Sequence, residues 1–320
     1  MLLFSAAIVL GLVFLILSAD RFVDAASVIA QRTGLSPLII GMLIVGIGTS
    51  APEMLVSALA AMQGNPGLAL GNAYGSNITN IALILGLTAL LSPIPVQSGI
   101  LRKELPVLCI VTAASIGLLW DGHLGFIDSS LLVVALLALM VWLVRTGQKS
   151  PDTFTEEAEA NAQAHLPKMS HTGLMLFLSL AVMMAASQAL IWGAEGLAKA
   201  AGVSDLVIGL TVLAFGTSVP ELASSLVAAR KGQHALALGN VIGSNLFNTL
   251  GVVGIAGLIS PSVVEPDLLT RDLPVVAALS LSLFVIGMGW RGRMGRINRV
   301  EGVILLAVYV GYIATLASGL

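Results

Sequence analysis

Displaced along itself by 168 residues, the chain matches its own sequence without a gap. Gly48-Thr49-Ser50-Ala51-Pro52-Glu53 falls on Gly216-Thr217-Ser218-Val219-Pro220-Glu221. Gly71-Asn72-Ala73-Tyr74-Gly75-Ser76-Asn77-Ile78-Thr79-Asn80 falls on Gly239-Asn240-Val241-Ile242-Gly243-Ser244-Asn245-Leu246-Phe247-Asn248. From Leu38 to Pro93, 25 of 56 positions are identical to Leu206–Pro261. Neither chance nor shared low complexity produces this, so one architectural unit is present twice.

The unit belongs in a membrane. Of the 320 residues 57% are hydrophobic and only 10% charged, against about 25% charged in a soluble domain. The charges cluster between apolar stretches such as Leu2–Ser18, Gly125–Val144 and Gly302–Ser318, and roughly 20 apolar residues span a bilayer as a helix. Ten spans are predicted, at about 2–30, 35–62, 68–92, 100–120, 125–146, 171–200, 204–230, 236–259, 271–290 and 298–318. Leu2–Ser18 lacks a basic flank and has a counterpart in the second half, so it reads as a retained first helix rather than a signal peptide.

The polar stretch from Thr146 to Lys168 contains Pro151, Asp152, Glu156, Glu157 and Glu159 without apolar periodicity. It reads as a solvated linker. The expected organisation is a five-helix repeat over 1–147, a linker over 148–169 and a second five-helix repeat over 170–320. An odd number of spans per repeat makes the second copy enter the membrane from the opposite side. The expected fold class is therefore an all-α membrane protein with ten transmembrane helices in two inverted five-helix repeats, its substrate site near the midplane.

Positive charge sets the orientation. Arg32, Arg102, Lys103, Arg145, Lys149, Lys168, Arg230, Lys231, Arg291, Arg293, Arg296 and Arg299 fall on one side of the ten-span scheme, and only Lys199 and Arg271 on the other. The linker is expected in the cytoplasm, with both termini outside. A net charge of −2 gives no reason to invoke nucleic acid, and the single Cys109 excludes an intrachain disulfide or a cysteine metal cluster.

A carboxylate in mid-span is costly and marks function. Glu53 and Glu221 occupy matching mid-span positions. Thr49 and Ser50 precede Glu53 by four and three residues, so the three share a helical face. Pro52 has no N–H, which deprives the Gly48 carbonyl of its helical donor. The resulting break gathers a carboxylate, hydroxyls and a carbonyl, and Gly216, Thr217, Ser218 and Glu221 repeat the set. These hard oxygen donors suit calcium, sodium or magnesium rather than zinc or copper.

Asn72, Ser76 and Asn80 form an i, i+4, i+8 stripe, repeated by Asn240, Ser244 and Asn248. Gly71, Gly75, Gly239 and Gly243 are expected to admit close helix approach. Asn77 and Asn245, one residue off the stripe, are expected to hydrogen-bond between helices. Asp20 and Asp24, beside Arg21, suit an interfacial salt bridge or a snorkelling end better than an ion site. Glu104, Glu195 and Asp272 are expected to be solvated near helix ends. No pair of the four histidines has metal-ligand spacing.

These two motif regions resemble the α-repeats of the calcium/cation antiporter superfamily, most closely its prokaryotic sodium/calcium exchanger branch. The resemblance implies ten helices in two inverted halves, expulsion of calcium by admission of sodium, and no cofactor. It implies ion ligands at Thr49, Ser50, Glu53, Ser76 and Asn80, and at Thr217, Ser218, Glu221, Ser244 and Asn248, with carbonyls from Gly46 and Ala214. It also implies that the first and sixth helices slide against the other eight. Proton/calcium members have an acid where this chain has Gly75 and Gly243, which argues against that branch. A calcium/proton or other cation antiporter, or a cation channel, is the alternative use of the same donors. The expected partners are calcium, sodium and the lipid of an inner membrane.

Overall fold

The computed structural model describes residues 1–96, 98–147, 168–201, 214–287 and 295–318. Apart from its last two residues, the expected linker lies outside them, as does most of the loop between the ninth and tenth expected spans.

The apolar runs form helices. In the first half these are α1 (Leu2–Thr33), α2 (Pro37–Thr49), α3 (Ala51–Met62), α4 (Pro66–Leu91), α5 (Glu104–Leu119) and α6 (Phe126–Thr146). The second half contains α7 (Met169–Ala200), α8 (Ala214–Thr217), α9 (Val219–Arg230), α10 (His234–Ile259), α11 (Leu268–Gly287) and α12 (Arg299–Ser318). Among the described residues, seven helices are long and apolar enough to cross a bilayer, or eight if α2 and α3, bent by 45° at Ser50, form one span. α5 is a shorter apolar helix of 16 residues.

Local sequence explains the boundaries. Ser36 accepts a hydrogen bond from the Ile39 amide at 3.3 Å, and Pro37 occupies the first helical turn of α2. Asn65 caps α4 by accepting from the Leu68 amide at 3.2 Å, with Pro66 behind it. Gly64 and Gly232 follow α3 and α9 with φ of 74° and 75°. Only a residue without a Cβ enters that left-handed turn at little cost. These two glycines are also matched by the 168-residue repeat.

α4 and α10 form the centre: 72% and 83% of their apolar windows are buried. α1, α6 and α12 turn most of theirs outward. Gly41, Gly239 and Gly243 bring α2 against α10, where a Cβ on Gly239 would strike the Leu38 carbonyl and one on Gly243 the Met42 backbone. Gly71 and Gly75 have nothing within 4 Å among the described residues; positions 202–213, which match 34–45, lie outside them.

Two short antiparallel ribbons tie loops together among the described residues. β1 (Ile94–Val96) pairs with β4 (Gly295–Ile297), and β2 (His123–Leu124) with β3 (Ser262–Val263). The first joins the α4–α5 and α11–α12 connections, the second the α5–α6 and α10–α11 connections, so each pair of loops shares one end of the bundle.

The stretches Gly41–Gly46, Thr79–Leu85, Asn248–Val252 and Leu268–Asp272 are π-helical. The second and third contain Asn80 and Asn248. π-bulges of this kind frequently mark functional sites, and apolar periodicity does not reveal them.

Candidate functional site

The break between α2 and α3 falls at Ser50, and that between α8 and α9 at Ser218. Their backbones nearly coincide, with φ and ψ of −82° and 6° at Ser50 and −87° and 6° at Ser218. In each case proline follows two residues later in the first turn of the new helix, and Glu53 and Glu221 lie in those first turns of α3 and α9. Both carboxylates are only 1% exposed. Negative charge near a helix N-terminus is favoured by the exposed amides there.

The halves interlock at these acids. The Ser50 hydroxyl donates to Glu221 Oε1 at 3.0 Å, and the Ser218 hydroxyl to Glu53 Oε1 at 3.2 Å. The Ser76 hydroxyl lies 3.5 Å from that of Ser218 and beside Glu53. Thr49 donates to the Val45 carbonyl at 2.9 Å and to Asn240 Oδ1 at 3.2 Å. Thr217 is buried next to Ser218. The Gly46 carbonyl accepts the Ser50 amide at 3.1 Å and the Ser244 hydroxyl at 3.3 Å. Ala214 begins α8.

Several buried oxygens have no hydrogen-bond partner among the described residues: Oε2 of Glu53 and of Glu221, Oδ1 of Asn80, and Oδ1 of Asn248, whose Nδ2 is also unpaired. Leaving such atoms dry and unpaired is costly, whereas a hard cation would satisfy the oxygens. Among the described residues no three His, Cys, Asp or Glu side chains come together as a metal site. A cation shell here must draw on hydroxyls, amides and carbonyls as well as the two acids.

The asparagine stripe divides. Asn72 donates to the Glu53 carbonyl at 3.1 Å and to Ser57 at 2.9 Å. Asn240 donates to the Glu221 carbonyl at 3.2 Å, Ser224 at 3.1 Å and Ser225 at 2.8 Å. These outer amides hold the backbone beneath each acid. Ser57 and Ser225 did not stand out as motif residues, although their identity under the 168-residue displacement could have identified them. Asn77 donates to Thr249 at 2.8 Å and Asn80 to Asn245 Oδ1 at 3.1 Å, so Asn77 and Asn245 make the expected interhelical bonds.

Other polar groups lie elsewhere. Lys231 bridges Asp20 at 2.8 Å and Asp24 at 2.6 Å, which is the expected salt bridge. Partial burial pulls the Lys231 pKa down, but hydrogen bonds to and the charges of both aspartates outweigh it and hold the pKa above its ordinary value. Glu195 pairs with Lys199 at 2.7 Å on an exposed face. Glu104 and Asp272 are buried rather than solvated. Asp272 accepts from Arg271 Nε at 2.8 Å and from the Tyr312 hydroxyl at 3.0 Å; α12 covers a helix end that hydropathy places at the surface.

The sodium/calcium exchanger protein family matches residues 3–145 and 171–317, nearly the whole chain. CaxA of Alkalimonas amylolytica, a putative antiporter, is 45% identical over 98% of each chain. Inner membrane protein YrbG of Escherichia coli is 38% identical over 99% of this chain and 97% of its own. The solved structure of the sodium-calcium exchanger NCX_Mj, soaked with Na+ and Sr2+, superposes with a TM-score of 0.85 at 32% identity, covering 98% of this chain and 99% of that one. These likenesses point to a membrane transporter rather than an enzyme, and the chain belongs to the sodium/calcium exchanger family, in the prokaryotic branch of the calcium/cation antiporters.

Proposed function

We propose that the protein exchanges calcium for sodium by alternating access at the site around Glu53 and Glu221. The observation that carries this reading is the crossed pair of hydrogen bonds, Ser50 to Glu221 and Ser218 to Glu53. It gathers two carboxylates from opposite halves while leaving an oxygen of each unpaired among the described residues. Two charges in a poorly hydrated cavity need a compensating cation. One calcium or several sodium ions meet that need, and competition for the same oxygens makes occupancy exclusive.

In this reading Glu53 and Glu221 supply the charge, and Thr49, Ser50, Thr217, Ser218, Ser76 and Ser244 the hydroxyls. Asn80 and Asn248 supply amide oxygens, and Gly46 and Ala214 backbone carbonyls. The chain crosses the membrane ten times, in halves 1–147 and 170–320 joined by the linker 148–169. α5 and the segment ending in α8 and α9 complete the count. The linker is cytoplasmic and the termini are outside an inner membrane. The two ribbons support this order of spans, since each joins loops that the ten-span scheme puts on the same side, and the orientation rests on the charge count.

Calcium uptake into proteoliposomes tests the proposal. An outward sodium gradient is expected to drive calcium in, and sodium on both sides to abolish accumulation. Accumulation driven equally well by a proton gradient without sodium would overturn the sodium coupling. Uncoupled calcium flux down its own gradient would identify a channel.

A further inference from the structure

An inverted-repeat transporter with two identical halves would weight its two access states equally, because moving between them exchanges the roles of the halves. The halves of this protein are unequal at one buried point. Pro220 removes the amide that would serve the Gly216 carbonyl, as Pro52 does for Gly48. In the second half a replacement donor is present: the Ser187 hydroxyl on α7 donates to the Gly216 carbonyl at 2.9 Å. Ser187 is buried. The buried serines Ser18 of α1 and Ser179 of α7 instead turn inward to their own helices, donating to the Phe14 and Met175 carbonyls at 2.6 Å each.

The repeat assigns the matching position to Ala19 on α1, which is fully buried and has no donor to offer. Packing differs in the same sense. A Cβ at Gly216 would collide with Ile191 of α7, so that helix lies hard against the second break. A Cβ at Gly48 would meet only the outer ends of Leu180 and Phe22, at 3.2 and 3.6 Å.

Two further ties follow the same pattern. Lys231, just after α9, bridges Asp20 and Asp24 of α1, and Ser27 of α1 donates to Gln233 Oε1 at 2.7 Å. The repeat matches Lys231 with Gln63, Asp20 with Gln188 and Asp24 with Trp192, so the ion pair has no charged counterpart. Ser27 and Gln233 match Glu195 and Asn65, which instead pair with Lys199 and the Leu68 amide. The ties from Ser187, from Asp20 and Asp24, and from Ser27 end at Gly216, Lys231 and Gln233, all close to α9.

We infer that Ser187 is a positioning residue that makes the two access states unequal, by anchoring α7 to the break beneath Glu221 where the matching Ala19 offers no such anchor beneath Glu53. This inference rests on the antiport reading and assigns that site its sidedness. The half-saturating calcium concentrations at the two faces then differ, and their ratio reports the bias.

The test compares right-side-out and inside-out membrane vesicles and takes calcium as the probe. Removing the second-half tie in Ser187→Ala should move the ratio toward unity by about threefold, the scale of one neutral hydrogen bond. Supplying the missing first-half donor in Ala19→Ser should move it in the same direction. The double variant should move it further than either, and Ser187→Thr should retain the wild-type ratio. General damage to packing would not make a removed and an added hydroxyl agree in direction. A ratio unmoved in both single variants, with calcium exchange intact, would overturn the inference. Absence of sodium-driven calcium transport in the wild type would overturn the underlying reading.

Discussion

The Ser50 hydroxyl donates to Glu221 Oε1 across 3.0 Å, joining residues 171 positions apart. Its mirror, Ser218 to Glu53, closes the same arrangement from the other half. Each acid is thus held by the break that precedes the other acid. A change at either break is felt at both carboxylates.

Loss of either charge should stop exchange. Glu53→Gln and Glu221→Gln keep the shape and remove half of the compensating charge. Sodium-driven calcium uptake should fall at least tenfold in each, while size-exclusion elution in detergent stays that of the wild type. Normal transport by both variants would remove these acids from the site.

The serines should matter less. A hydrogen bond to a charged group contributes about 1.5–3 kcal/mol. Ser50→Ala and Ser218→Ala each remove one hydroxyl of the proposed shell and the donor that holds the opposite acid, and should raise the half-saturating calcium concentration by up to about tenfold while exchange persists. Because the two bonds mirror one another, the two variants should resemble each other. Calcium titration of uptake would reveal a large difference between them.

Asn72 and Asn240 should act on stability before affinity. Asn240→Ala removes the amide contacts to the Glu221 carbonyl, Ser224 and Ser225 and also the acceptor of the Thr49 hydroxyl. Asn72→Ala removes two. Leaving buried partners unpaired costs about 1–3 kcal/mol each, so Asn240→Ala should lower the thermal unfolding midpoint more than Asn72→Ala. The reverse order in a melt of the purified protein would contradict this ranking.

Acid should inhibit. In the proposed site protons would compete with calcium for the oxygens of Glu53 and Glu221, and a protonated carboxyl no longer balances a cation. Apparent calcium affinity should fall as pH drops from neutral toward about 5, near the ordinary carboxylate range. Affinity that stays flat over that interval would show that the acids do not bind the ion.

Potassium should be unnecessary. The proposed site has two formal negative charges, which one calcium would neutralise, and Asn80 and Asn248 add none. Replacing potassium by choline on both sides should leave calcium exchange unchanged. Asn248→Asp adds a third charge and should either create a dependence on a monovalent cation or deepen inhibition by acid. Flux measurements with and without potassium decide it.

Residue order alone suffices to read the helices, the two breaks and the pairing of the halves. Apolar runs separated by charge predict membrane helices, and the gapless 168-residue register identifies Glu53 with Glu221, Ser50 with Ser218 and Asn80 with Asn248. Proline two residues beyond each serine predicts the two breaks. These properties are local: a missing amide or an apolar run acts within a helical turn or a bilayer width.

Which faces meet depends on how the helices pack. Spacing along a helix puts Asn72, Ser76 and Asn80 on one stripe. Packing aims Asn72 at the Glu53 backbone and Asn80 at Asn245, because the stripe runs past different neighbours along its length. The π-helical turns at Asn80 and Asn248 have no counterpart in the apolar pattern. Glu104 and Asp272 lie near helix ends, which reads as solvation, yet both are buried, Asp272 against Tyr312 of α12. The crossed serines and the unmatched Ser187 tie depend on contacts between distant segments, which a repeat can pair by number but cannot bring into contact.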